Sequence, residues 1–292
     1  MNDFVLIKPS AEYIEDKILE RDLETLTPPL PAELAARLSG YTDSKNRIGR
    51  SSAGVYCYEC EGDALYLKIS EISDEVHRER DLLTWMNGKV PVPDLICYIE
   101  QDGYAFLLMS KADGFMACDC PADADGDQAK VHEPIEQTIK LLAEALLMLQ
   151  SVDISECAFE NTLDQKLKSA LYNIENNLVD MDDFEDGNDW NSPMELYHWL
   201  VENRPPEDLY FTHGDFCLPN IFIDGNEVTG FIDVGRGGVA DKWQDIALCV
   251  RSLEYNLRHN KKYPCADLLF SHLGIQPNDE KIRYYILLDE LF

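Results

Sequence analysis

Positive charge is scarce in this chain. Its 292 residues carry 25 Lys and Arg against 55 Asp and Glu, a formal net charge of −30. A surplus of that sign repels phosphate backbones and anionic headgroups, so neither nucleic acid nor a membrane surface is expected as a partner. Long apolar runs are missing as well: no stretch approaches the ~18 uninterrupted apolar residues of a membrane-spanning helix. The opening MNDFVLIKPSAEYIED lacks a basic segment, an apolar stretch and a small-residue cleavage site in sequence, so the expected location is cytoplasmic. Nine cysteines, odd in number and scattered, with Cys57–Cys60 and Cys118–Cys120 the only close pairs, fit reduced thiols and exclude a disulfide framework. A dense glycine-rich phosphate loop is also absent. Only Gly49 and Gly54 flank Ser51-Ser52.

What is present falls into two parts. After Pro28-Pro29-Leu30-Pro31, residues 31–38 predict a short helix ending before Gly40. From Asn46 the pattern turns strand-like, with strands around Val55–Tyr56 and Ala64–Ile69 joined through Glu61-Gly62-Asp63. Asp74–Asn87 predicts a helix, and strands at Leu95–Ile99 and Tyr104–Met109 flank the Gln101-Asp102-Gly103 turn. Residues 110–114 read as a linker. Helical patterns then dominate at 135–151, 163–178, 193–202, 245–258, 264–273 and 279–290. Strands first and helices second imply an α+β chain with two lobes, divided near residue 110, with residues 1–30 an extension of unreadable role.

The segment FTHGDFCLPNIFIDGNEVTGFIDVGR, Phe211–Arg236, carries the chemistry. It sets Asp215 five residues before Asn220 and places Asp233 after the apolar run Val228–Ile232. Phosphoryl transfer from a nucleotide needs one carboxylate for the attacking hydroxyl, plus an amide oxygen and a second carboxylate to hold Mg²⁺ on the phosphates. Asp215 is the candidate catalytic base, and Asn220 and Asp233 are the candidate metal ligands. His213 reads as a structural histidine fixing the loop. Lys68, at the end of a strand, and Glu79, on the next helix, form the candidate pair that positions the α- and β-phosphates. Tyr66 shares the sheet face of Lys68 and is placed to stack on a base, with Met109 and Lys111 in the linker segment beside it. Between Glu175 and Asp208 eleven acids meet one base, Arg204, and an acidic wall beside a kinase site points to a polycationic acceptor.

With these residues assembled, the chain resembles the aminoglycoside 3'-phosphotransferases, antibiotic-resistance kinases with a bilobal protein-kinase-like fold. The likeness runs from about Pro31 to Phe292 through VPVP, LLMSKADG, ELYHWL, HGDFCLPN, GFIDVGR, ADKWQDIALCVRSL and YYILLDELF. It implies a nucleotide-binding lobe over residues 31–110 and a catalytic, aminoglycoside-binding lobe over residues 111–292. It also implies Mg²⁺ with ATP as donor, GTP being an open alternative. By the same resemblance Ser51 contacts the β-phosphate. Asp182, Glu185, Arg236, Asp289, Glu290 and the terminal carboxylate of Phe292 face the drug. A monomer or weak dimer is expected. Two other readings stand beside this one: a metabolic small-molecule kinase acting on choline, homoserine or a sugar, and a catalytically weak binding homologue. The second requires loss of Lys68, Asp215, Asn220 or Asp233, and all four are present.

Overall fold

The computed structural model describes residues 28–46, 54–119, 135–181, 184, 190–257 and 265–292. Ser51, Asp182, Glu185 and residues 1–27 lie outside them.

The first lobe is a five-stranded antiparallel sheet of β1 (Thr42–Asn46), β2 (Gly54–Cys60), β3 (Asp63–Glu71), β4 (Leu95–Gln101) and β5 (Tyr104–Ser110), ordered β1-β2-β3-β5-β4. Two tight hairpins set its register. Glu61 and Gly62 (φ 48° and 92°) link β2 to β3, and Asp102 and Gly103 (φ 53° and 85°) link β4 to β5. Paired left-handed residues match the twist of the flanking strands. Alternation along β3 then sorts the side chains. Leu67 and Ile69 pack with Phe106, Leu108, Tyr58 and Leu34, the last on α1 (Ala32–Arg37). Tyr66 and Lys68 take the other face, opposite Met109 and Leu107 of β5. On that side lies α2 (Asp74–Met86), whose first turn is capped by the Ser73 hydroxyl accepting from the Val76 N–H at 3.3 Å. Its inward stripe is Val76, Glu79, Leu82, Leu83 and Met86, a single charge among apolar neighbours.

The second lobe is built on α3 (Ile135–Gln150), which is buried along most of its length. Around it stand α4 (Leu163–Glu175), α5 (Pro193–Glu202), α6 (Trp243–Leu257), α7 (Cys265–Leu273) and α8 (Asp279–Asp289). Two small sheets thread between them. One orders β6 (Phe115–Met116), β8 (Ile221–Asp224) and β9 (Glu227–Phe231), and the other pairs β7 (Leu209–Thr212) with β10 (Gly238–Asp241). Buried Asp241 anchors α8 by accepting from Lys281 Nζ at 2.5 Å and the Tyr285 hydroxyl at 3.0 Å. No helix among the described residues is long and apolar enough to cross a membrane.

Two elements differ from the sequence expectation. Strand character begins at Thr42, because the polar TDSKN segment forms an edge strand that needs no apolar face. The helix expected over 163–178 stops at Glu175. Asn177 adopts φ 54°, and the Leu178 N–H reaches back to the Asn173 carbonyl at 2.8 Å, a Schellman termination with Asn in the glycine position.

Candidate active site

Strand β7 delivers the chain to His213 and Gly214, whose N–H groups both donate to Asp245, at 2.6 and 2.9 Å. Asp245 opens α6 and is buried. Burial pushes its carboxyl up, and His213 with the two backbone donors opposes that rise. Gly214 has φ +86°, and a Cβ there would stand 1.9 Å from the Arg236 carbonyl oxygen, so the turn admits only glycine. The His213 ring donates from Nε2 to the Ile232 carbonyl at 2.9 Å, and Nδ1 accepts the Asp215 N–H at 3.3 Å. The ring thereby acts as a spacer between the two halves of the motif.

The Asp215 carboxylate is gripped at both oxygens. Asn220 Nδ2 donates to Oδ2 at 3.0 Å and also to the Asp215 carbonyl at 3.0 Å, while the Cys217 thiol donates to Oδ1 at 3.1 Å. Burial and the neighbouring Asp215 charge push the Cys217 thiol well up, so it stays protonated. With its amide nitrogen spent on Asp215, Asn220 presents Oδ1 as its remaining ligand atom.

Asn220 and Asp233 end at the same place because β8 and β9 pair there. Ile221 lies opposite Phe231, and the Ile232 N–H donates to the Asn220 carbonyl at 3.0 Å. Asp233 itself is left-handed (φ 55°, ψ 46°), a conformation costing a non-glycine residue ~1–2 kcal/mol. That turn carries its carboxylate to Lys68 Nζ at 2.7 Å, and Lys68 also donates to Glu79 at 2.9 Å. Burial alone would lower the Lys68 ammonium, but the charges of Glu79 and Asp233 outweigh it and hold the group above its ordinary range. Burial pushes Glu79 up, and Lys68 opposes that shift. Helix α2 comes close enough because Gly235 leaves room: a Cβ there would lie 3.2 Å from Glu75 Cγ and the Glu75 carbonyl oxygen. Arg78 ties the contact by donating to the Gly237 and Glu160 carbonyls at 2.7 and 2.9 Å.

Tyr66 lies directly across from Met109, and burial followed by its contact with Cys57 pushes the phenol up to about 12. Lys111 is exposed, just beyond β5. At the far end of the site Asp289 is partly buried and takes Arg251 at 2.5 Å. Burial would raise this carboxyl, yet Arg251, Lys166 and Arg236 together hold it below the usual range. The Phe292 ring lies under two of those cations, with Lys166 Nζ 5.0 Å and the Arg236 guanidinium 5.9 Å from its centroid. Arg236 also faces Glu75 at 3.5 Å. Glu290 sits half-buried at the end of α8. Asp289 is therefore already engaged within the protein. Arg251, Lys166 and Asp245 belong to the constellation without having been expected. Asp245 carried a weak signal as an acid in the first turn of a helix, whereas a helical lysine such as Lys166 reads as solvated.

Among the described residues no group of three or more His, Cys, Asp and Glu gathers as a metal cage. Asn220 Oδ1 with the half-exposed Asp233 carboxylate instead suits Mg²⁺, which takes one or two protein oxygens and completes its shell with phosphates and water.

A model of the Phosphotransferase enzyme family matches residues 44–263. An aminoglycoside 3'-phosphotransferase from Enterococcus faecalis is 40% identical over 267 residues, spanning 89% of this chain and 97% of its own length. One from Campylobacter jejuni is 38% identical, spanning 84% and 94%. The chain belongs to the aminoglycoside 3'-phosphotransferase family. Among solved structures, the aminoglycoside-3'-phosphotransferase of type VIII superposes with a TM-score of 0.75 at 29% identity, covering 89% of this chain and 97% of that one. Aminoglycoside phosphotransferase APH(3'')-Id from Streptomyces rimosus, 23% identical with a TM-score of 0.74 over 88% of this chain and 95% of its own, shares the fold. The bilobal architecture expected from the motifs is that of this family.

Proposed function

We propose that the chain transfers the γ-phosphate of ATP to the 3'-hydroxyl of an aminoglycoside, with antibiotic resistance as the consequence. The observation that carries this reading is the junction at Lys68. One ammonium joins Glu79 of the first lobe to Asp233 of the second, at the end of the hairpin that also carries Asn220 and, through it, Asp215. Phosphoryl transfer passes through a loose transition state, so catalysis is mostly positioning and charge neutralisation.

In this reading Lys68, oriented by Glu79, holds the α- and β-phosphates, and the base rests against Tyr66 with main-chain partners at Met109 to Lys111. Asn220 Oδ1 and Asp233 hold Mg²⁺, which when bound supplies neutralisation of the phosphate charge. Asp215 accepts the hydroxyl proton as the acceptor's oxygen bonds to the γ-phosphorus and the bond from that phosphorus to ADP breaks, ADP leaving. Ser51 is assigned to the nucleotide. Arg236, Asp289, Glu290, the Phe292 carboxylate, Asp182 and Glu185 are assigned to the aminoglycoside side. Residues 31–110 act as the nucleotide lobe and residues 111–292 as the catalytic lobe, in a cytoplasmic monomer or weak dimer.

ADP release coupled to a panel of acceptors tests the reading. Kanamycin, neomycin, butirosin and amikacin should drive turnover in proportion to their fit. Choline, homoserine and an aminoglycoside lacking the 3'-hydroxyl should not. Equal turnover with the 3'-deoxy compound would overturn the regiochemistry, and turnover only with choline or homoserine would overturn the acceptor class.

A further inference from the structure

Helix α2 carries two adjacent charged residues with different tasks. Adjacent helical positions point ~100° apart, so the turn that presents Glu79 to Lys68 directs Arg78 towards the second lobe. There the Arg78 Nε and Nη2 both donate to the Gly237 carbonyl, at 3.1 and 2.7 Å, and Nη2 also donates to the Glu160 carbonyl at 2.9 Å. The guanidinium carbon lies 5.7 Å from the centroid of the Phe159 ring. Both carbonyls belong to one unit, because residues 159–161 pair with β10. The Val239 N–H donates to the Phe159 carbonyl at 2.7 Å, and the Asn161 N–H donates to the Val239 carbonyl at 2.9 Å. Asn161 Nδ2 also donates to the Arg236 carbonyl at 2.6 Å, and the Gly237 N–H closes its turn on the Val234 carbonyl at 2.8 Å. Gly238 keeps the approach open, since a Cβ there would stand 2.7 Å from Arg78 Nη2. Arg78 therefore grips the same turn that begins with Asp233, the partner of Lys68.

We propose that Arg78 is a positioning residue, which locks α2 onto the catalytic segment and so fixes Glu79 and Asp233 at the separation that Lys68 bridges. Two other charged contacts join these elements, and neither suffices. Glu75 meets Arg236 at 3.5 Å, but Glu75 is mostly exposed, and an exposed ion pair contributes little. The contact between Lys68 and Asp233 is given up when nucleotide binds, since in the function proposed above Lys68 turns to the phosphates and Asp233 to the metal. Arg78 uses backbone carbonyls alone, so its grip outlasts the arrival of ligand. A guanidinium suits the task because its planar fork reaches two carbonyls at once, whereas a lysine ammonium is a single point of charge. The inference rests on that proposed function for the role of Lys68, but not for the docking of α2.

Two measurements on the intact chain separate docking from function. The first is amide hydrogen exchange. Arg78→Met should speed exchange in α2 by ~10–100-fold, the worth of a hydrogen bond lost from a charged group, while α3 exchanges as in wild type. Unchanged exchange in α2, or equal acceleration in α2 and α3, overturns the dock. The second is calorimetric MgATP affinity, for Arg78→Met alone and in a Glu79→Gln background. Alone, Arg78→Met should weaken MgATP by ~10-fold or more and leave KM for kanamycin near the wild-type value. On top of Glu79→Gln it should cost less than ~3-fold, because both substitutions act through Lys68. Arg78→Lys, which keeps the charge without the fork, should fall between wild type and Arg78→Met, and it decides both measurements if Arg78→Met does not fold. An unchanged MgATP affinity, an equal loss in both backgrounds, or a matching rise in KM for kanamycin overturns the positioning role. If the wild-type protein binds no MgATP, the function proposal fails and hydrogen exchange still decides the dock.

Discussion

Asp215 has both carboxylate oxygens engaged before any acceptor arrives, by Asn220 on one side and the Cys217 thiol on the other. The thiol is a weak donor, so it orients Oδ1 without competing strongly with an incoming hydroxyl. Lys166 shows a different economy of charge. Burial outweighs the attraction of Asp289 and lowers its ammonium from 10.5 to about 8. Between those two values the unfolded chain binds a proton that the folded protein does not, so stability rises as pH climbs from about 8 towards 10.5. Below that window the whole cost of burying the charge is present. Lys166→Met should therefore resist urea better than wild type at pH 7, and the advantage should shrink steadily as the pH approaches 10. Unfolding curves across that range check it, and an advantage independent of pH would assign the effect to packing instead.

At the scale of elements, what the sequence revealed depended on whether the signal was local. Lys68 and Glu79 were legible as a pair because a strand lysine and a helical acid eleven residues on gain meaning beside Asp215, Asn220 and Asp233, and the two side chains do meet. The strand and helix order was legible from period and turn chemistry, with Asp102-Gly103 and Glu61-Gly62 marking their hairpins. Strand β1 was not, since TDSKN has no apolar alternation to betray an edge. Nor was the hydrogen bond that α4 makes to Leu291, because Asn173 and Leu291 are 118 positions apart and nothing local joins them. Asp245 lies between these cases. Replacing it with Ala would strand the His213 and Gly214 N–H groups in a buried loop, each unsatisfied donor costing ~1–3 kcal/mol. Asp245→Ala should thus lose a few kcal/mol of stability in urea titrations and most of its turnover. Asp245→Asn, whose amide oxygen satisfies one N–H, should recover part of both. Equal losses in the two variants would show that the carboxylate acts through charge rather than through the loop.

Over the whole molecule the net charge of −30 acts beyond any contact. A field of that sign attracts polycations and repels nucleotide anions, and salt screens both effects within a Debye length of ~8–10 Å at ordinary ionic strength. KM for kanamycin should therefore rise with added KCl at fixed pH and Mg²⁺, while KM for MgATP stays level or falls. A parallel rise for both would mean that salt acts on the fold. The two lobes meet at the Lys68 junction, and weakening it should separate nucleotide from drug. Asp233→Asn removes a charge from Lys68 and from the proposed metal position, so it should weaken MgATP binding in calorimetry far more than kanamycin binding.

The most direct test is turnover by Asp215→Asn with kanamycin and MgATP, measured beside calorimetric MgATP affinity. Loss of a general base lowers turnover ~10²–10⁴-fold, and the amide keeps the shape that Asn220 and Cys217 grip. The expected result is a fall in kcat of that size with MgATP affinity unchanged. A variant that keeps more than about a tenth of wild-type kcat, outside that range, would contradict Asp215 as the base and with it the mechanism proposed for this site.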